Sequence, residues 1–292
     1  MRRFYNPLKS LYDWVEDRMN NETLDTTSPN ILERGSQILS GCIKTYLQKQ
    51  MRELRRKTTY DLKQGYYNYI NTDYKRQNPG LNTYRLQEIK KPLRQELQVR
   101  TGYALALIKT QTEQNLNKLK GRFIDWINQQ TLGDDKQSLK EMLDLDKLRY
   151  QNKRHQQFII TDQYHKMIGN FDDIVANHFE ALGFIWKNRK DKRVAGNPTG
   201  INPKPDKNSP MHGNHWVREN KIYLYEQSWA KTAKLIKAPD GYEVSDLKDG
   251  PPGMPIGCRC YRVNLYELNE LPKDYLTEKG KKYLRDQVLD SF

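Results

Sequence analysis

The chain has 292 residues, long enough for one large domain or two ordinary ones. Hydrophobic residues make up 36% and mean hydropathy is −0.98, and no stretch approaches the ~20 apolar residues of a membrane span. Three cysteines are too few for a disulfide framework, and 50 Lys and Arg against 36 Asp and Glu leave a net charge of +14.

These numbers favour an elongated, helix-rich subunit, or one that completes its burial inside an assembly. The basic surplus favours polyanions, nucleic acid first. Its interspersion with Asp and Glu reads equally as the solvated side of long helices, and an acidic protein partner would serve the same charge. The basic start Met1–Arg3 is followed by no apolar run, so no secretory leader and no membrane association are expected.

In chain order, Phe4, Tyr5, Leu8, Leu11, Tyr12, Trp14 and Val15 have the spacing of an amphipathic helix that docks on a partner. From Ile31 to about Gln77 apolar residues recur at helical spacing, through Ile38, Leu39, Cys42, Ile43, Tyr46, Leu47, Met51 and Leu54 to Leu62, Tyr66, Tyr69, Ile70 and Tyr74. This is one helix, or two broken near Thr58-Thr59, stopped by Asn78-Pro79-Gly80. Between the apolar positions lie Lys44, Lys49, Arg52, Arg55, Arg56 and Lys57, the candidate contacts to DNA.

Further helices are predicted over Tyr84–Val99 and Tyr103–Gln130, the latter with Leu107, Ile108, Leu119 and Ile124 inward. A short helix through Leu139–Leu148 follows, then one from Phe158 to Leu182 with Gly183 at its C-terminal cap. Beyond it the pattern changes. Phe184–Lys187, Ile222–Tyr225 and Tyr261–Leu265 read as short strands, and prolines and glycines crowd the loops between Gly196 and Pro255. The fold class is therefore α+β and mainly α-helical, a long N-terminal helical body followed by a small α+β module with a short sheet. The boundaries fall at 1–182 for the body, 183–272 for the module and 273–292 for a C-terminal helix or tail. The 19 tyrosines suit half-buried helix faces and interfaces alike.

Three segments carry chemistry and occur in a fixed order. Ile159-Ile160-Thr161-Asp162-Gln163 lies in a helix that leads into Gly183–Lys187 with Trp186. Next come Asp191-Lys192-Arg193-Val194 and Met211-His212-Gly213-Asn214-His215-Trp216. The last is Gly250-Pro251-Pro252-Gly253-Met254-Pro255-Ile256-Gly257-Cys258-Arg259-Cys260. Over roughly Phe158 to Val263 this order resembles the phage Mu protein F-like family of head morphogenesis proteins. That family has an I-x-R-T-E helix, a strand ending in Trp, a D-x-R segment, a short H-G or D-G element and a closing P-P-x-H-P-N-C-R-C. Ile160 and Asp162 stand where the family usually has Arg and Glu, Met254 where it has His, and Ile256-Gly257 where it has a single Asn.

The resemblance implies a minor capsid protein of the virion head interior near the portal vertex, assembled in the host cytoplasm, and not an enzyme. Its implied partners are the portal protein, the major capsid or scaffolding protein, and packaged double-stranded DNA held without sequence preference. Its implied roles are head morphogenesis, DNA packaging and DNA ejection.

Zinc takes four tetrahedral ligands, mostly Cys and His. Cys258, Cys260, His212 and His215 are the candidate set for a structural zinc, although Cys-x-Cys is tighter than the usual C-x₂₋₄-C. The alternative is a pair of packed thiols with no metal. Asp191 and Arg193 are expected to form an ion pair or brace their loop. His155, His165 and His178 read as ordinary surface or packing residues. A metal-dependent phage nuclease is the alternative from another class, since His212-Gly213-Asn214-His215 resembles the His element of ββα-metal nucleases. A DNA-binding accessory protein without portal contact is the third reading.

Overall fold

The computed structural model describes residues 29–131, 145–204 and 213–290. The amphipathic segment Phe4–Asn21, the start of the helix expected at Leu139, and His212 lie outside the described residues. So do the side chains of the stripe from Ile38 to Leu47 and those of Lys44 and Lys49. The described chain is mostly helical, with one three-stranded antiparallel sheet. No described helix is long and apolar enough to cross a membrane.

Helix α1 spans Pro29–Asn68 and continues through a π-helical turn, Tyr69–Asp73, into α2, Tyr74–Gln77. It does not break at Thr58-Thr59. Buried Leu54, Thr58, Leu62, Tyr66 and Tyr69 keep a three-and-four spacing across that point, and Thr costs a helix only tenths of a kcal/mol. The irregularity falls instead at the π turn. Asn78 closes the run, its side chain and backbone N–H both donating to the Tyr74 carbonyl at 2.9 Å. Of the basic candidates, Arg52, Arg55, Arg56 and Lys57 are exposed.

Asn82 accepts the Tyr84 N–H at 3.0 Å and opens a 3₁₀ turn, Thr83–Arg85, that leads into α3, Leu86–Thr131. The two helices expected here are one. Thr101 Oγ1 returns to the Leu97 carbonyl at 2.7 Å and Arg100 pairs with Glu96 at 2.6 Å across the intended gap. Gly102 alone, worth ~1 kcal/mol against helix, does not stop it. The buried face of the second half runs through Ala104, Ile108, Thr112, Asn115, Leu119 and Trp126, while Leu107 and Ile124 are exposed. Two polar residues therefore take places where apolar ones were expected. Thr112 is satisfied by the Ile108 carbonyl at 2.7 Å.

Helix α4, Leu145–His178, ends before Gly183. Its cap is Glu180 at φ 54°, with the Ala181 N–H reaching the Ala176 carbonyl at 2.8 Å, the six-to-one bond of a Schellman turn. Gly183 instead opens β1, Gly183–Lys187. A β-carbon there would stand 2.4 Å from the Tyr223 carbonyl oxygen, so only glycine lets the neighbouring strand approach.

β1 lies between β2, Ile222–Leu224, and β3, Tyr261–Leu265. Phe184 faces Tyr223 on one side and Asn264 on the other, and Trp186 faces Arg262. The period of two sends these side chains to one face of the sheet. There Phe184, Trp186 and Tyr223 join Leu247, Cys258 and Cys260 in one core. The other face packs Leu182, Leu224, Leu265 and Ile185 against Leu235, Ile236 and the segment Leu268–Leu276. Helix α5, Trp229–Thr232, contributes Ala230 to that second core. Helix α6, Glu278–Asp290, closes against the Leu235 carbonyl through Gly280.

The described chain forms two compact units, one from residues up to Tyr60 with 103–159, the other from Asp61–Gly102 with 160 onward. Within the second, the sheet is tied to the helices by polar groups. Arg262, with 0% exposure, donates to Asp173, to the Tyr225 hydroxyl and to the Gly169 carbonyl. Tyr69 donates to Asp172 at 2.8 Å, and Asn264 donates to Asn78 at 2.8 Å.

Candidate metal centre

The closing segment Pro251–Cys260 crosses α4 at a point where neither backbone has a side chain. A β-carbon on Gly253, at φ 86°, would sit 2.9 Å from the His165 carbonyl oxygen, and one on Gly169 would sit 3.0 Å from that of Pro252. The crossing is pinned by Asp162, which accepts the Gly257 N–H at 2.7 Å and pairs with Lys166 at 2.8 Å. The chain then extends toward β3. Successive side chains of an extended segment alternate, so Cys258 and Cys260 turn inward while Arg259 turns to Asp191 at 2.7 Å. Neither cysteine nor Arg259 has a positive φ, so the tight Cys-x-Cys spacing needs no strained turn.

His215 meets the two sulfurs. The Trp216 N–H donates to the Ala195 carbonyl at 2.9 Å and fixes the local backbone, while the Trp186 ring lies edge-on to the imidazole at 5.1 Å between centroids. Nδ1 is 3.5 Å from Cys258 Sγ and 3.7 Å from Cys260 Sγ. On the far side Nε2–H donates to Asp249 Oδ2 at 2.9 Å, and Asp249 Oδ1 accepts from Arg218 at 2.8 Å. The Arg218 guanidinium in turn covers Trp186 at 4.9 Å. His215, Cys258 and Cys260 are buried and offer three ligand atoms within 4.8 Å of one another.

These groups polarise one another. Burial would keep His215 neutral, but its bonds to Asp249 and Cys258 and the charges of both outweigh it and raise the imidazole to about 9. Burial would raise Asp249, yet His215 and Arg218 hold it below the usual carboxylate range. Cys258 falls well below a normal thiol because Cys260 hydrogen-bonds to it and, against burial, His215 lies alongside. Cys260 rises because it supports the neighbouring thiolate and is itself buried. The free site thus favours a Cys258 thiolate beside a protonated His215, and zinc, which takes thiolate and neutral imidazole, would displace the protons on His215 and Cys260.

No protein-family model matches the chain, and no curated protein or solved structure matches it either.

Of the four expected zinc ligands, three come together and His212 lies outside the described residues. Asp191 braces its loop as expected, accepting the Arg193 N–H at 2.9 Å, but its ion-pair partner is Arg259 rather than Arg193. His155 and His178 are exposed, the latter 3.3 Å from Glu88. His165 is half-buried beside the closing segment, where burial, Arg259 and Arg189 lower it to about 4.

Sequence reasoning missed Asp249 and Arg218. Asp249 stands immediately before Gly250-Pro251-Pro252, and a ligating histidine normally gives its second N–H to a carboxylate. That expectation pointed to an acid near the closing motif.

Proposed function

We propose that the protein is a phage Mu protein F-like minor head protein, joined to the portal vertex of an assembling capsid and acting in DNA packaging or ejection. The observation that carries this reading is the convergence of the segments on which the resemblance rests. Asp162 on α4 bonds to Gly257, Asp191 pairs with Arg259, Trp186 on β1 lies against His215, and His215 meets Cys258 and Cys260.

Within that reading zinc would stabilise the module. Held by His215, Cys258 and Cys260, it would lock the closing segment onto the sheet, and the small core there would gain a crosslink where no disulfide exists. The exposed tyrosines Tyr60, Tyr67, Tyr84 and Tyr103 offer amphipathic contact area for portal or capsid subunits. Exposed Arg52, Arg55, Arg56 and Lys57 suit packaged DNA, with the sequence-neutral, salt-sensitive grip of phosphate contacts. The nuclease alternative needs a free imidazole as general base. Both nitrogens of His215 are engaged, so that alternative would have to draw its base from His212, which lies outside the described residues.

Co-expression with the portal protein of the same phage, followed by co-sedimentation at low and high salt, tests the proposal. Association that survives salt is expected. Failure to associate, with salt-sensitive DNA retention instead, would transfer the assignment to the DNA-binding accessory reading.

A further inference from the structure

The two nitrogen–sulfur edges of the three-atom set have the spacing of a tetrahedral zinc site, and all three atoms lie within 4.8 Å of one another. With Zn–S about 2.3 Å and Zn–N about 2.0–2.1 Å, tetrahedral angles separate nitrogen from sulfur by about 3.6 Å. The observed separations are 3.5 and 3.7 Å. His215 presents Nδ1, and its ring is held by a two-link chain through Asp249 to Arg218. Two thiolates and a neutral imidazole also cancel the charge of a divalent ion.

The fourth vertex is where this centre departs from a closed structural site. His215, Cys258 and Cys260 all line a single cavity of about 220 Å³, walled by Val194, Ile201 and Ile256 and flanked by Arg193. That volume is ample for a water or a small ligand. Three protein ligands with a solvent-filled fourth position is the arrangement of zinc sites that exchange a ligand, whereas structural sites are sealed by a fourth side chain.

We propose that His215, Cys258 and Cys260 bind one zinc ion as a three-ligand centre. Its fourth position faces this cavity and takes water or a small anionic donor, and Asp249 is the positioning residue for the ring. The inference rests on the zinc part of the functional reading and is independent of the portal.

The test uses the full chain, stripped of metal with a chelator under a non-thiol reductant and reloaded with cobalt(II). One cobalt per chain is expected, with thiolate charge-transfer absorption and a four-coordinate visible spectrum that shifts saturably on adding azide. His212→Ala is expected to retain metal and the azide response. Asp249→Asn is expected to weaken binding ten- to a hundredfold with unchanged circular dichroism, separating a positioning role from loss of fold. A spectrum indifferent to azide, or metal lost in His212→Ala, would overturn the open vertex, and failure to retain any metal would overturn the centre itself. All readouts come from the isolated protein, so a negative result here leaves the portal test standing, and the converse holds.

Discussion

Asp162 on α4 holds the Gly257 N–H at 2.7 Å, across 95 positions of sequence, and so connects a helix to the segment that carries both cysteines. Hydrogen bonds to a charged group contribute about 1.5–3 kcal/mol. Asp162→Ala is therefore expected to lower stability by about 2 kcal/mol in urea unfolding. Amide exchange should speed up across residues 253–260 more than across β1. Uniform acceleration over both segments would mean that the bond is incidental.

Arg262 is expected to be among the least tolerant positions. Its guanidinium is buried between Asp173, Tyr225 and the Gly169 carbonyl and lies over the Phe184 ring at 5.2 Å. Arg262→Met fills similar volume but leaves the carbonyl and Asp173 without their donor. A broken buried pair costs about 3–5 kcal/mol, and Asp173 keeps some contact with water, so about 3 kcal/mol is expected. A loss below about 1 kcal/mol would show that the hydrophobic stem, not the charge, holds this contact.

Asp172 gives stability a pH dependence of unusual sign. Burial, opposed by Arg262 and by the Tyr69 hydrogen bond, raises its carboxyl to about 8, against about 3.9 in an unfolded chain. Between those values the folded protein holds the extra proton. Its contribution is thus complete below about pH 4 and is lost as pH rises toward 8. His165 acts oppositely over a narrower range. Lowered to about 4 from about 6.5, it contributes stability above pH 6.5 that is lost as pH falls through 4. Urea midpoints should fall more steeply from pH 6.5 to 8 in the native protein than in Asp172→Asn, which keeps the contributions of His215 and Cys258. Parallel curves for the two would discount Asp172 as the source.

Two glycine-to-alanine changes should have opposite signs. At Gly183 the new methyl meets the Tyr223 carbonyl at 2.4 Å, so β1 and β2 must separate; overpacking of this kind costs about 1–3 kcal/mol. Gly102 lies exposed within α3 with nothing within 4 Å of an added methyl, and alanine there gains up to about 1 kcal/mol of helix propensity. Thermal unfolding of both variants decides the matter, and stabilisation by Gly183→Ala would contradict the strand register.

Reversing charge at Arg52, Arg55, Arg56 and Lys57 together should weaken DNA retention and flatten its salt dependence. Each lost phosphate contact removes about 0.9 from the slope of log affinity against log salt. An unchanged slope would assign these residues to helix solvation instead.

The three strands were legible because aromatic and β-branched residues clustered between glycines and prolines, and each falls within a residue of its expected limits. The helix limits were less so. The gap left between Val99 and Tyr103 and the glycine at 183 looked like punctuation, yet α3 runs through the first and Gly183 exists for a close strand approach. Nor does periodicity reveal that Thr112 and Asn115 are buried, Thr112 bonded to the Ile108 carbonyl and Asn115 to Gln111 of the same helix. At the metal centre the soft ligands stood out by residue type. Asp249 did not, because an isolated acid acquires a role only when folding brings it to the far side of an imidazole.

The bond between Asn78 and Asn264 joins residues 186 positions apart. On the ribosome, the first helices of this unit are made long before the strand that completes them. Until β3 emerges, α2 with Tyr74 has no strand to pack against and Asn78 has no Asn264. Maturation is therefore timed by translation of the C-terminal third, and a nonsense mutation before Tyr261 would leave a nascent product with exposed aromatic surface, a substrate for chaperones and proteases rather than a shorter working subunit.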